Sequence, residues 1–176
     1  TQYFKAKGLP PFVKLLKSIG ELAEIKTINF LTSNPWDFHD QLIKEIKTNI
    51  KISRFIHLPL QSGSNRVLSL MNRGYTREDY LKIINKIKKE IPEATFGTDI
   101  IVGFPDETDQ DFQETVDLAK EVGFQVAFIA QYSPRPGTAA WRIYKDDIPA
   151  KIKKERFRIL EELINRPHLF HRPHVP

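Results

Sequence analysis

Hydrophobic positions along the chain switch repeatedly between a spacing of three to four and a spacing of two, the mark of helices and strands taking turns. Phe12, Leu16 and Ile19 stand at helical spacing after Pro10-Pro11, and Gly20 closes the segment. Residues 25–32 then read as a strand, Leu42, Ile43, Ile46 and Ile50 mark a second helix, and residues 53–60 read as a second strand. Ser64 is placed to cap a short helix carrying Val67, Leu68 and Met71. Thr76, with Asp79 three positions on, has the form of a capping box; Tyr80, Ile83, Ile84 and Ile87 line the helix it opens, and Pro92 stops it. A strand over 95–102 follows, then a helix capped by Thr108 with the stripe Phe112, Val116 and Ala119, ended by Gly123. A strand over 124–131 and a helix through Ile152, Ile159, Leu160 and Leu163 complete the series.

Strands separated by helices of about ten to fifteen residues predict crossover connections and a parallel sheet, hence an α/β fold. Four predicted strands are too few to close an eight-stranded barrel. The expected architecture is a partial (β/α) barrel of parallel strands with outer helices, spanning residues 1–165, with 166–176 as an irregular tail. The first residue is not Met and the opening pattern is already helical, so the chain is expected to be a fragment, the second half of such a barrel. Loops leaving the C-terminal ends of parallel strands lie side by side. Three segments should therefore share one rim: His57-Leu-Pro-Leu-Gln-Ser-Gly-Ser64, Asp99-Ile-Ile-Val-Gly-Phe-Pro-Asp-Glu107 and Gln131-Tyr-Ser-Pro-Arg-Pro-Gly-Thr138.

Composition narrows the chemistry. With no cysteine among 176 residues, these residues hold no disulfide, no thiolate nucleophile and no thiolate-bound iron-sulfur cluster. The longest apolar runs are about five residues, far below the ~20 that a spanning helix needs, so a cytoplasmic protein without membrane association is expected. Net charge is +5, unevenly spread: residues 1–90 carry 16 Lys+Arg against 8 Asp+Glu, and residues 91–176 carry 11 against 14. The basic half could face RNA, although Lys82, Lys86, Lys88 and Lys89 fall on the polar face of a predicted amphipathic helix, where solvated charge is ordinary.

In the first loop, Gln61, Ser62 and Ser64 offer amide and hydroxyl groups, and Gly63 would let backbone approach a ligand; such groups suit a ribose or an amino-acid moiety, or equally a turn and helix cap. Gly103 permits a flat ligand to pack on a strand end, or simply a tight turn. Two prolines stiffen the third loop and present Arg135, whose guanidinium can pair with carboxylate or phosphate or stack on a ring, or the segment is equally a plain proline-stiffened surface loop. His57 reads as a hydrogen-bonded structural residue. The acidic run Asp106, Glu107, Asp109 and Asp111 is explained by helix capping rather than a metal cluster. His168, His171 and His174 lie three apart, but Pro167, Pro173 and Pro176 break helical register and argue against a metal site.

The three segments in this order, joined by Met71-Asn-Arg-Gly-Tyr-Thr76, Leu31-Thr-Ser-Asn-Pro-Trp36 and Ile148-Pro-Ala-Lys-Ile-Lys-Lys-Glu-Arg156, resemble the radical S-adenosylmethionine (SAM) methylthiotransferases, especially those that 2-methylthiolate N6-modified adenosine 37 of tRNA. The likeness runs from about residue 9 to residue 165. It implies the C-terminal half of a radical SAM barrel, with SAM as cofactor, tRNA as partner, and two 4Fe-4S clusters whose ligands are absent from this chain. One cluster would cleave SAM reductively to a 5′-deoxyadenosyl radical that abstracts hydrogen from adenosine C2; the other would supply sulfur. On that resemblance Gln61 and Ser62 are candidates for the SAM ribose or amino-acid portion and Arg73 for its carboxylate. Asp99, Ile101 and Gly103 match the element that packs on adenine, with Tyr132, Ser133 and Arg135 after the next strand. One position departs: the family usually has Gly where this chain has Asp106. Other radical SAM methylthiotransferases, acting on a ribosomal-protein aspartate or threonylcarbamoyl-adenosine, and a non-catalytic half-barrel module, remain as alternatives.

Overall fold

The computed structural model describes residues 10–168 except 33, 36 and 37. Helices α1 (Pro11–Glu21) and α2 (Asp40–Thr48) precede strand β1 (Phe55–His57). Then come α3 (Asn65–Leu70), α4 (Arg77–Glu90), β2 (Thr95–Val102), α5 (Asp109–Val122), β3 (Val126–Gln131), α6 (Ala139–Ile143) and α7 (Ala150–Leu160). A single π turn, Glu161–Asn165, and a 3-10 turn, Arg166–His168, extend α7.

The strands form one sheet in the order β1-β2-β3, and both pairings are parallel. Alternation along β2 divides its two faces. Phe96, Thr98, Ile100 and Val102 are buried against a core that includes Tyr80, Ile84 and Ile87 of α4 and Phe112, Val116 and Ala119 of α5. Gly97, Asp99 and Ile101 point the other way. The sequence signals for both long helices hold: Thr76 with Asp79 and Thr108 with Asp111 form reciprocal capping boxes, and Gly123 ends α5 in the left-handed conformation. Ser64 caps α3, its hydroxyl accepting from the Val67 N–H.

The predicted strand at 25–32 is reduced to two isolated parallel bridges, Ile28 with Ile52 and Leu31 with His57. Between those contacts one segment advances three residues and the other five, so no continuous ladder can form. Arg54 lies within the second segment and donates to the carbonyls of Ile46, Lys47 and Ile52. The same side chain covers the carbonyl end of α2, which stops at Thr48 and leaves Ile50 exposed rather than on the helix.

β1 is also shorter than predicted, because past Leu58 its bonds to β2 pass through a side chain rather than the backbone. The Thr98 hydroxyl bridges the break, accepting from the Leu60 N–H at 2.9 Å and donating to the Leu58 carbonyl at 2.9 Å. Beyond it, parallel pairing resumes between Gln61 and Ile100. On the far side of the sheet, the Asn165 amide closes the open edge of β3, accepting from the Ala127 N–H and donating to its carbonyl, each at 2.9 Å. Helix α6 is an element that hydrophobic spacing did not indicate. Among the described residues no helix is long and apolar enough to cross a membrane.

Candidate functional site

Parallel pairing brings the three strand ends to one edge. Gln61 donates its N–H to the Asp99 carbonyl at 2.8 Å and accepts from the Ile101 N–H at 3.0 Å, and the Tyr132 N–H reaches the Val102 carbonyl at 2.9 Å. Asp99 pairs in register with Phe128, and Ile101 with Ala130, so these four side chains share the face turned away from the helices. The Asp99 carboxylate meets His57 Nε2 at 3.1 Å and is still 37% exposed. The His57 ring itself is buried, 5.7 Å from the exposed Phe128 ring. Its Nδ1 is buried without a partner among the described residues, while Nε2 donates to the Asp99 carboxylate. His57 is thus hydrogen-bonded, as its sequence context suggested. This face offers a flat apolar floor with one carboxylate, a combination suited to a nucleoside.

The turn after β1 is held from within. Ser62 is fully buried with its hydroxyl 3.3 Å from that of Thr115, which also accepts from the Gly63 N–H at 2.9 Å. The Ser64 hydroxyl donates to Asp111 at 2.6 Å, and the Arg66 guanidinium closes on the same carboxylate. Burial alone would raise the Asp111 carboxyl, but the bonds from Arg66, Ser64 and Thr108 outweigh it and hold the group well below the usual carboxylate range. Gly63 proves to be required by close packing rather than by a ligand: a Cβ there would lie 2.5 Å from the Thr115 Cα of α5. Gln61 opens this turn at φ 68°, a left-handed conformation rare outside glycine and asparagine. Its side chain is nearly buried.

The turn after β2 is pinned by a buried ion pair. Glu107 accepts from the Gly103 N–H at 2.6 Å and from Arg156 Nη1 at 2.7 Å, while Arg156 Nη2 reaches Asp109 at 2.8 Å. Burial pushes the Glu107 carboxyl up, against the opposing pull of the Gly103 N–H and Arg156. Glu107 is therefore no helix cap, whereas Asp111 is one. Asp106, at the position where the family's glycine stands, does adopt positive φ, 65°, and its backbone N–H is anchored by the Asp147 carboxylate at 3.0 Å. Gly103 lies at φ 69°, with one side covered by the stem of Lys153.

After β3, the Tyr132 ring packs edge-on against Phe104 with centroids 5.0 Å apart, and burial together with nearby Asp146 raises its phenol. Ser133 and Arg135 are exposed, and the Arg135 carbonyl accepts from the Thr138 hydroxyl that caps α6. Arg73 lies in the turn between α3 and α4, its N–H donating to the Leu68 carbonyl at 2.8 Å. That turn is tied to the first strand end, since the Tyr75 hydroxyl donates to the Leu60 carbonyl at 2.7 Å.

The structure thus unites Asp99, Ile101, Gly103 and Tyr132, sets Gln61 beside them, leaves Ser133 and Arg135 exposed, brings Arg73 near only through its turn, and encloses Ser62. Sequence reading passed over Phe128, although the alternation in Val126–Gln131 marks it as sharing a face with Ala130. It also passed over Thr115, Lys153 and Arg156, polar residues on amphipathic helices whose inward turn only tertiary packing reveals. Among the described residues no group of three or more acidic, His or Cys side chains could hold a metal ion; His171 and His174 and the side chain of His168 lie outside them. A groove between α1 and α2, lined by Lys17, Glu45, Asn49 and Lys51, involves none of the strand-end residues.

These parallel strand ends carry the three segments whose sequences resemble a radical SAM core, and comparison agrees. The chain belongs to the radical SAM superfamily, whose family model matches residues 7–119. It is 48% identical over 153 residues to a tRNA-2-methylthio-N(6)-dimethylallyladenosine synthase of Thermotoga petrophila, covering 87% of this chain and 34% of that protein. Synthases of the same name from Clostridium tetani and Thermus thermophilus are also 48% identical, over 163 and 156 residues, covering 91% and 88% of this chain and 36% and 33% of theirs. The chain therefore spans about a third of the length of the curated relatives it matches. Among solved structures, coproporphyrinogen III oxidase of Escherichia coli, described as a radical SAM enzyme, superimposes with a TM-score of 0.65 over 88% of this chain and 36% of that one. At 20% identity the likeness is one of fold.

Proposed function

We propose that this chain is the SAM-facing part of a radical SAM tRNA methylthiotransferase that modifies C2 of N6-modified adenosine 37. The observation that carries the reading is the face formed by Asp99, Ile101 and Phe128 beside the Gly103 turn, where an apolar floor and one accepting carboxylate fit an adenosine. The names of the relatives supply the reaction. Ile101 and Phe128 would support the adenine ring, and Asp99, oriented by His57, would accept from a ribose hydroxyl or an amino group. Gln61, Tyr132, Ser133 and Arg135 line the same rim and would fix the rest of the cofactor, with Ser62 setting the turn and Arg73 answering the methionine carboxylate. SAM bound to an iron-sulfur cluster supplies one-electron chemistry when its sulfonium bond is cleaved. With no cysteine in the chain, ligands for that cluster and for a second, sulfur-supplying one must come from elsewhere in the complete protein. A tRNA substrate and a cytoplasmic location follow from the same reading.

The test is to express the complete protein, reconstitute iron and sulfide anaerobically, and follow two products. The reading expects 5′-deoxyadenosine from SAM and 2-methylthioadenosine in tRNA. A fully loaded protein that yields neither would overturn it.

A further inference from the structure

One turn of α7 joins two of the three rim loops. Arg156, with 6% of its side chain exposed, grips the turn after β2: its guanidinium bonds both the carboxylate and the carbonyl of Glu107, and the same carboxylate holds the Gly103 N–H. Three residues earlier on the same helix face, Lys153 is 7% exposed and grips the turn after β3. Its ammonium donates to the Tyr132 carbonyl at 3.0 Å and to Asp146 at 2.5 Å and stands 5.3 Å from the Tyr132 ring centre. Its stem fills the space beside Gly103, so that a Cβ there would come within 2.4 Å of Lys153 Cγ. Two buried cations are more than helix packing requires, because apolar side chains would seal the same face without the cost of desolvating charge. What the cations add is directional bonding to two backbone segments at once.

We infer that Lys153 and Arg156 are positioning residues for the cofactor pocket, holding the Gly103 and Tyr132 loops at the separation that admits SAM. The inference rests on the functional reading above. Loss of the Lys153 bonds frees the Tyr132 carbonyl and lets that loop drift from Gly103, which weakens ground-state binding of SAM without touching the reacting bond.

The experiment compares wild-type complete protein, K153M, K153R and D146N, each cluster-loaded. It measures SAM affinity by equilibrium dialysis, KM and kcat for 5′-deoxyadenosine formation, and the unfolding midpoint. K153M keeps the stem beside Gly103 and should raise the SAM dissociation constant and KM about tenfold, with kcat within about twofold. K153R should recover much of the affinity. D146N, at the more exposed end of the same bond, should shift KM the same way by about threefold and serves if K153M does not fold. A lowered unfolding midpoint with SAM affinity unchanged in K153M, or in D146N where K153M fails to fold, would overturn the inference and leave the functional reading intact. Wild-type protein that neither binds nor cleaves SAM would overturn both.

Discussion

The turns after β1 and β3 look alike in sequence, each a short run of Gly, Ser and Pro near a strand end, yet they are opposites in the structure. In the first, every hydroxyl has a protein partner: Ser62 meets Thr115, Ser64 meets Asp111, and the Gly63 N–H is accepted. In the second, Ser133 and Arg135 lie exposed, and the loop is held at its two ends, by Lys153 on the Tyr132 carbonyl and by Thr138 on the Arg135 carbonyl. The first turn is scaffold built of polar groups; the second leaves the side chains of Ser133 and Arg135 exposed. Residue type alone does not separate the two cases. The neighbour does: α5 lies so close to Gly63 that its backbone replaces solvent, while among the described residues nothing covers the loop at 133–136.

If this contrast is right, substitutions on the enclosed side should act on folding and those on the open side on binding. The largest effect is expected between the two. Arg156→Met leaves the Glu107 carboxylate buried without its cation and should cost about 3–5 kcal/mol in denaturant unfolding. Thr115→Val leaves the Gly63 N–H and the Ser62 hydroxyl without their shared partner, for about 2–4 kcal/mol. A value near zero for Thr115→Val would break the contrast, because the first turn would then not depend on its internal bonds. Asp111→Asn should cost about 1–3 kcal/mol at neutral pH. Because the folded-state Asp111 carboxyl lies below its ordinary value, its contribution is complete above about pH 4 and fades as pH falls toward the folded value. The Asn variant should therefore show a flatter loss of stability on acidification than the parent. Arg135→Ala should shift stability by less than about 0.5 kcal/mol while weakening SAM binding in the complete protein.

Much of the fold could be read from the sequence because its signals were local. The capping boxes at Thr76 and Thr108, the Gly123 stop, the period-2 pattern at 95–102 and the parallel order all depend on residues near one another in the chain. Features that escaped the sequence depend on partners far apart. The strand at 25–32 lost its ladder to a register mismatch with 52–57, segments more than twenty residues apart in the chain. Within the site, Asp99, Ile101 and Gly103 were named from the family resemblance, and spacing by two along β2 explains why Asp99 and Ile101 share one face. The enclosure of Ser62 was not legible, since Thr115 lies 53 residues away. Glu107 shows the same limit: its position beside a helix start suggested capping, and Arg156, 49 residues on, gives it a different task.

The central claim is that three strand ends converge to form one nucleoside-binding rim. Photolysis of an azidoadenine analogue of SAM bound to the complete, cluster-loaded protein, followed by peptide mass spectrometry, tests it directly. Adducts on the 99–104 and 126–135 peptides, competed away by unlabelled SAM, are the predicted result. Competed adducts confined to the groove between α1 and α2 around Lys17 and Lys51, or to the exposed faces of the outer helices, would contradict it.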